Sequence, residues 1–74
     1  MGFEGRIALE QEVQKKYGLS DENANCFVAM LLDDNPQMED AMDDIEKGMP
    51  LGELREKYPH FAGITDEMIQ ESES

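Results

Sequence analysis

The residues of this chain that could do chemistry are mainly carboxylates, and seven of them are concentrated between residues 33 and 46. Within the segment 36–47, the apolar residues recur at helical spacing and predict one narrow stripe on a short helix. They are Met38, Ala41, Met42 and Ile45. The acidic residues fall on the remaining sides of this helix and just before it. We call the following set the acidic face: Asp33, Asp34, Glu39, Asp40, Asp43, Asp44 and Glu46.

The acidic face is not arranged for the stability of its own helix. Several of its members lie three or four residues apart, and each such like-charge pair costs roughly 0.2–0.5 kcal/mol. Glu39 and Asp40 are near the helix N-terminus and recover about 0.3–1 kcal/mol each from the helix dipole, but the later acids do not. The net cost of about 1 kcal/mol indicates a surface that is used for binding. The ligand could be a metal ion or a basic protein surface.

A calcium loop is the first possibility that the acidic face raises. If Asp33 is counted as the first ligand, the sixth position is Met38, where a calcium loop requires Gly. The twelfth position is Asp44 where Glu is expected, and Pro36 interrupts the loop. The stretch fits a capped helix better. We therefore expect neither a specific metal site nor a cofactor.

A catalytic set is not visible in the sequence. Cys26 and His60 are the only residues of their types, and there is no glycine-rich phosphate loop. Cys26 falls in an apolar helical segment, where thiols tend to be inert. The carboxylates are predicted to lie on an exposed helix and not in a pocket. We therefore expect a protein that is not an enzyme. A single cysteine also excludes an internal disulfide and fits a reducing compartment.

The formal net charge of −12 on 74 residues exceeds the magnitude of about 2–8 that is usual for a small domain. Residues 1–19 are balanced, whereas residues 20–74 hold fifteen acids against three bases. Such a field repels nucleic acid and anionic membranes and attracts basic surfaces. The first residues lack the pattern of a signal peptide, and the longest apolar run, 27–32, is too short to cross a bilayer. We expect a cytoplasmic protein, in the host cytoplasm if it is phage-encoded, without direct nucleic-acid or membrane binding.

Helical periodicity, with almost no strand signal, predicts the elements that position these residues. The first helix should run from about Glu4 to Tyr17 and end at Gly18. Its predicted inward residues are Ile7, Leu9, Val13 and Tyr17. Ser20 should cap the second helix. The apolar face of that helix is Ala24, Phe27, Val28, Leu31 and Leu32, and because its other side is also hardly polar we expect it to be the central helix.

The later helices are marked by proline, glycine and threonine. Asn35 and Pro36 should begin the third helix, and Gly48 should end it. A fourth short helix should bury Leu51, Leu54 and Tyr58 and stop before Pro59. Thr65 should cap a last short helix after a loop at 60–63. The sequence thus predicts a compact all-α single domain of four to five short helices over residues 1–70, with a flexible acidic tail at 71–74. We expect a monomer or weak homodimer.

The two C-terminal helices resemble the C-terminal half of small bacterial antitoxin-like domains. The residues that carry this resemblance are Gly48-Met-Pro-Leu-Gly-Glu-Leu, Tyr58-Pro59 and Ile64-Thr-Asp-Glu-Met-Ile69. The resemblance implies a helix-turn-helix. A recognition helix must offer amides to bases and cations to phosphates, however, and residues 65–74 offer four acids and only Gln70. We therefore expect this pair to be a packing unit that does not bind DNA.

Taken together, these features predict a protein-binding module that docks its acidic face on a basic, nucleic-acid-binding surface of a partner and inhibits it. In size, charge and helical character the chain resembles phage-encoded inhibitors such as anti-CRISPR, anti-restriction and polymerase-inhibiting proteins. The alternative is a helical adaptor, antitoxin or chaperone-like protein that binds through an apolar patch. The candidate residues of that patch are Cys26, Met30, Met49 and Phe61.

Overall fold

A computed structural model describes residues 5–73, and these form five α-helices and one short 3-10 helix without a strand. The helices are α1 (Arg6–Tyr17), α2 (Asp21–Leu32), α3 (Met38–Glu46), α4 (Leu51–Lys57) and α5 (Asp66–Glu73), and the 3-10 helix is Pro59–Phe61. The radius of gyration of 11.0 Å equals the value of about 11 Å expected for a compact domain of this length. The predicted compact all-α fold is confirmed.

The predicted signals at Gly18, Ser20 and Thr65 act where the sequence places them. Gly18 ends α1 with φ +71° and donates its N–H to the carbonyl of Gln14. Ser20 caps α2 by accepting the N–H of Asn23 at 3.3 Å, and Thr65 caps α5 by accepting the N–H of Met68 at 3.1 Å. Each of these signals is local, since it needs only neighbouring backbone atoms. The predicted start of α1 at Glu4 lies outside the described residues.

The core is arranged around α2, which packs against α1, α3 and the 3-10 helix. Four of its side chains have no exposed surface: Ala24, Phe27, Val28 and Leu31. An aromatic series runs from Tyr17 through Phe27 and Phe61 to Tyr58, with ring centroids 6.0, 5.0 and 5.9 Å apart. It joins α1, α2, the 3-10 helix and the end of α4. The prediction of a central second helix is confirmed.

Three apolar residues differ from their predicted places. Ile7 is 72% exposed, because two helical steps put it about 200° from Leu9 and thus on the opposite side of α1. Leu32, the last residue of α2, is 39% exposed. Phe61 falls in the predicted loop 60–63, but it is completely buried and belongs to the 3-10 helix.

The C-terminus also continues further as a helix than predicted. α5 extends through Glu73, whereas the predicted domain boundary was residue 70. Within this last turn, a carboxylate oxygen of Glu71 accepts the N–H of Ser20 and the amide of Asn23, both at 2.9 Å. These bonds join α5 to the beginning of α2. Ser74 lies outside the described residues.

A candidate protein-binding face on α3

Helix α3 is held by the apolar stripe that its sequence predicts. Ala41 is fully buried and Ile45 is 6% exposed, while Met38 and Met42 are half-buried against the core. The helix begins two residues later than predicted. Asn35 still acts at its start, because its side-chain oxygen accepts the N–H of Gln37 at 2.9 Å and forms a turn ahead of the first helical residue.

The end of α3 is fixed by backbone hydrogen bonds around Gly48. Gly48 has φ +88° and donates to the carbonyl of Ile45, while Met49 donates to the carbonyl of Asp44, both at 3.0 Å. This pair of bonds is a Schellman motif, which favours glycine at the left-handed position. The buried stripe and the two ends therefore give α3 a defined orientation, and its polar side is presented to solvent on a fixed scaffold.

Six members of the acidic face are exposed: Asp33, Asp34, Glu39, Asp40, Asp43 and Glu46. Among residues 5–73, the only ion pair that any of them forms is Asp43 with Lys47, at 3.4 Å and with both side chains more than half exposed. Such a pair contributes at most about 1 kcal/mol. The other five side chains have no hydrogen-bond or ion-pair partner in the described part of the chain. These six exposed carboxylates form a negative surface at the α2–α3 corner and along α3.

Asp44 does not belong with the six exposed carboxylates. Its side chain is 13% exposed and accepts a hydrogen bond from Lys57 Nζ at 2.8 Å and another from the Tyr58 hydroxyl. These donors, Lys57 first, lower the pKa of the Asp44 carboxyl below its ordinary value. Asp44 therefore fastens α3 to α4. Because it follows Ala41 by three residues, Asp44 lies at the edge of the apolar stripe and not with the exposed members of the acidic face.

The predicted apolar patch is not formed as one surface. Phe61 is buried between Phe27 and Tyr58 and is not available to a partner. Met30 is half-buried on α2, and Met49 is half-buried just after α3. Cys26 is exposed on the outer side of α2. Phe61 is therefore removed from the candidate contact residues.

Cys26 and His60 are not part of a hydrogen-bonded catalytic cluster among the described residues. Cys26 forms no hydrogen bond among residues 5–73, and a ring nitrogen of His60 lies 3.2 Å from the carbonyl oxygen of Asp34. No group of three or more histidine, cysteine or acidic side chains is placed to hold a metal ion within the described ranges. The helical part of the interpretation of 33–44 is confirmed from Met38 onward, whereas the N-cap residue is Gln37 and not Asn35, and it forms no side-chain cap bond.

The α4–α5 pair packs as a helical hairpin around an arginine. Arg55 donates to the carbonyl of Ile64 at 3.1 Å and to Asp66 at 3.0 Å. The acids of α5 are thus divided, because Asp66 and Glu71 form side-chain bonds within the domain, whereas Glu67 and Glu73 form none in the described chain. No base lies on this helix.

The fold and face define a small all-α acidic domain that presents carboxylates on a fixed helix. Comparison with protein-family models, curated proteins and solved structures gives no match for this chain. Over residues 5–73, no helix has both the length and the apolar character that crossing a bilayer requires.

Proposed function

We propose that this protein is a small acidic binding module that docks the six exposed carboxylates on a basic surface of a partner protein and thereby inhibits it. The observation that supports the proposal is that these acids are exposed on and beside a fixed helix, and that in the described chain only Asp43 among them forms an ion pair. Basic protein surfaces are frequently nucleic-acid sites, which need rows of lysine and arginine to neutralise phosphates. Carboxylates on a helix can occupy such a row in place of phosphates.

The energetic balance within α3 supports the same proposal. The pairs 39/43, 40/43 and 43/46 place exposed like charges three or four residues apart, at roughly 0.2–0.5 kcal/mol each. Asp44 is stabilised by its bonds to Lys57 and Tyr58, and the exposed ion pair with Lys47 offsets part of the repulsion at Asp43. Glu39, Asp40 and Glu46 have no side-chain partner in the described chain. Opposite charges on a partner would offset the repulsion that remains. Association through such a surface should be fast and strongly dependent on salt.

The partner class follows from this chemistry. A competitor of nucleic acid at a basic site would act as phage-encoded inhibitors of restriction, CRISPR or polymerase proteins do, and we place this chain in that functional class. The second candidate is a helical adaptor, antitoxin or chaperone-like protein that binds an apolar segment. One observation favours it, namely an apolar groove that remains open between α1 and α3.

The test separates the effect of the exposed carboxylates on partner binding from the effect of net charge. One variant carries Glu39→Gln, Asp40→Asn and Asp43→Asn. A matched control carries Glu22→Gln, Glu56→Gln and Glu67→Gln, which are exposed residues of α2, α4 and α5. Each set removes three charges, two of them in the first turn of a helix, and brings the net charge from −12 to −9.

Immobilised wild type and both variants are used to capture proteins from host lysate at low salt. We expect a basic protein that is retained by wild type and control, released by salt, and not retained by the α3 variant. Wild type added to that purified protein should then displace its nucleic acid. Equal capture by both variants, or a partner whose nucleic-acid binding is unaffected, would contradict the proposed function.

A further inference from the structure

Helices α1 and α3 flank an apolar groove whose floor is formed by α2. Both helices pack on α2, and side by side they leave two adjoining hollows of about 330 and 290 Å³. The hollows share Leu9 and Met42. The first continues to Val13, Leu31 and Ile45, and the second continues to Leu32 and Met38.

The two helices are tied together at one end of this groove. The Tyr17 hydroxyl donates to the carbonyl of Met49 at 2.7 Å, and Lys16 Nζ lies 3.4 Å from the carbonyl oxygen of Glu46. Burial, and then the nearby Asp44 carboxylate, raise the pKa of Tyr17 to about 12, so that this donor remains protonated. The groove therefore has one closed end at Tyr17 and extends towards the N-termini of both helices, at Arg6 and Met38.

The charged side chains beside the groove differ in whether they form bonds within the domain. Its two cations are engaged within the domain, because Arg6 binds Glu10 and Asn25, and Lys16 binds the end of α3. Its two acids, Glu12 and Glu46, form no side-chain bond in the described chain. One acid comes from each wall. The hydrogen bond of Lys16 leaves its charge in place, so the three acids and two cations around the groove, with Glu10 counted, sum to −1, within a domain whose formal net charge is −12; this favours a basic ligand over an acidic one.

We propose that this groove receives one amphipathic helix of a partner protein, with two large apolar side chains one turn apart in the two hollows and lysine or arginine beside them. The inference rests on the proposed function, since it supposes that the chain acts by binding a protein. A groove between two helices accepts a third through anchors at i and i+3 or i+4. Met38 and Met42 are flexible and polarizable, so they can adapt to such anchors. A second copy of the chain fits poorly, because it would bring its own charge of −12.

The test uses three synthetic peptides of about 15 residues, a length at which isolated helices become marginally stable. The first has leucines at i, i+4 and i+7 with lysines beside them. The second has the same composition, but its leucines are distributed around the helix. The third replaces the lysines with glutamates. The methionine methyl groups are observed by NMR, since Met38 and Met42 line the groove and Met30 and Met49 do not.

We expect the first peptide to shift the methyl signals of Met38 and Met42 and to bind at least about tenfold more tightly than the second, as the loss of one apolar anchor implies. The third peptide should not bind. Met42→Lys should weaken binding of the first peptide by at least about tenfold. Met30→Lys adds the same charge on α2, outside the two hollows, and should not weaken this binding. Met42→Gln gives the same comparison without added charge.

Three results would overturn the groove proposal. If both basic peptides bind equally and shift only the backbone signals of Glu39, Asp40 and Asp43, the acidic surface binds without the groove and the proposed function stands. If no peptide binds, the groove has no such ligand, and the capture experiment alone decides the proposed function. If the Met38 and Met42 signals shift with protein concentration alone, the occupant is a second copy. Conversely, groove binding with equal capture by both charge variants would retain the groove and reject the acidic surface.

Discussion

Replacement of Phe61 by alanine should remove a large part of the stability of this domain. The side chain is completely buried, lies parallel to Phe27 at 5.0 Å between ring centroids, and meets Tyr58 edge-on at 5.9 Å. A buried Phe→Ala change costs about 3–5 kcal/mol. The two ring contacts place Phe61 in the upper half of that range, because each adds stabilisation beyond buried area.

This loss is large relative to what a chain of 74 residues can have. At roughly 0.05–0.15 kcal/mol per residue, the free energy of unfolding is about 4–11 kcal/mol. A domain of this size loses about 4–8 °C in melting temperature per kcal/mol, so even 3 kcal/mol corresponds to at least about 12 °C. Phe61→Leu keeps most of the apolar volume and should cost less.

Thermal and urea unfolding followed by circular dichroism would measure the effect. The control is Ile7→Ala on α1, where the side chain is 72% exposed and a change within about 0.5 kcal/mol is expected. The comparison also bears on function, since an exposed Phe61 would be a candidate contact residue. If Phe61→Ala is as stable as Ile7→Ala, Phe61 is not in the core and the reasoning about the apolar patch fails.

Three further predictions concern pH and backbone conformation. Asp44→Asn should lower the melting temperature at neutral pH, whereas the control Asp40→Asn should not. The difference between Asp44→Asn and wild type should shrink as the pH falls below the ordinary carboxyl pKa of 3.8, because the stability that a lowered carboxyl pKa contributes is lost when the carboxylate is protonated. Absorbance titration of the folded protein should show that both tyrosines ionise above their ordinary pKa of 10.0. The Tyr58→Phe variant should then show a single transition near pH 12, which belongs to Tyr17. A transition near pH 10 in the folded protein would contradict the burial of the two hydroxyls. Gly48→Ala should lower the free energy of unfolding by about 1–2 kcal/mol, because Gly48 has φ +88°. Gly52→Ala within α4 should be neutral or stabilise the protein by up to about 1 kcal/mol, since the added methyl group meets only Ile69 at 4.0 Å. If Gly52→Ala is the more damaging change, the backbone conformations given for the two glycines are contradicted.

The helices and their ends could be predicted from the sequence because their signals are local. Ser20, Thr65 and Gly48 each act on backbone groups within a few residues, and the stripe of α3 follows from helical periodicity alone. The position of Ile7 could also have been predicted, since its angle from Leu9 is fixed by the helix. In this case the error came from grouping apolar residues by sequence proximity and not by face.

The places of Phe61 and Asp44 depend on distant parts of the chain. Phe61 is buried because a 3-10 helix carries it against α2, and no periodic pattern in three residues predicts that. The partners of Asp44, Lys57 and Tyr58, are thirteen and fourteen residues away. The spacing of Asp44 from Ala41 did indicate the edge of the stripe, but only the packing of α4 shows which donors are there.

The distribution of bonds among the acids gives the remaining argument for the proposed face. Asp44, Asp66 and Glu71 join separate elements of the fold, and Asn23 and then Ser20 lower the pKa of the Glu71 carboxyl by donating to it. Charge that serves the fold is therefore paired in this small domain, even on α5, where acids outnumber bases. Exposed acids without a side-chain partner occur on the other helices too, such as Glu12, Glu22 and Glu67, but α3 and the corner before it bring five of them together on a helix that is anchored on the opposite side. An anchored helix with repelling carboxylates, of which only Asp43 forms an ion pair, gains most from a partner that brings cations, and this is why we propose the binding role for α3 and not for the similarly acidic α5.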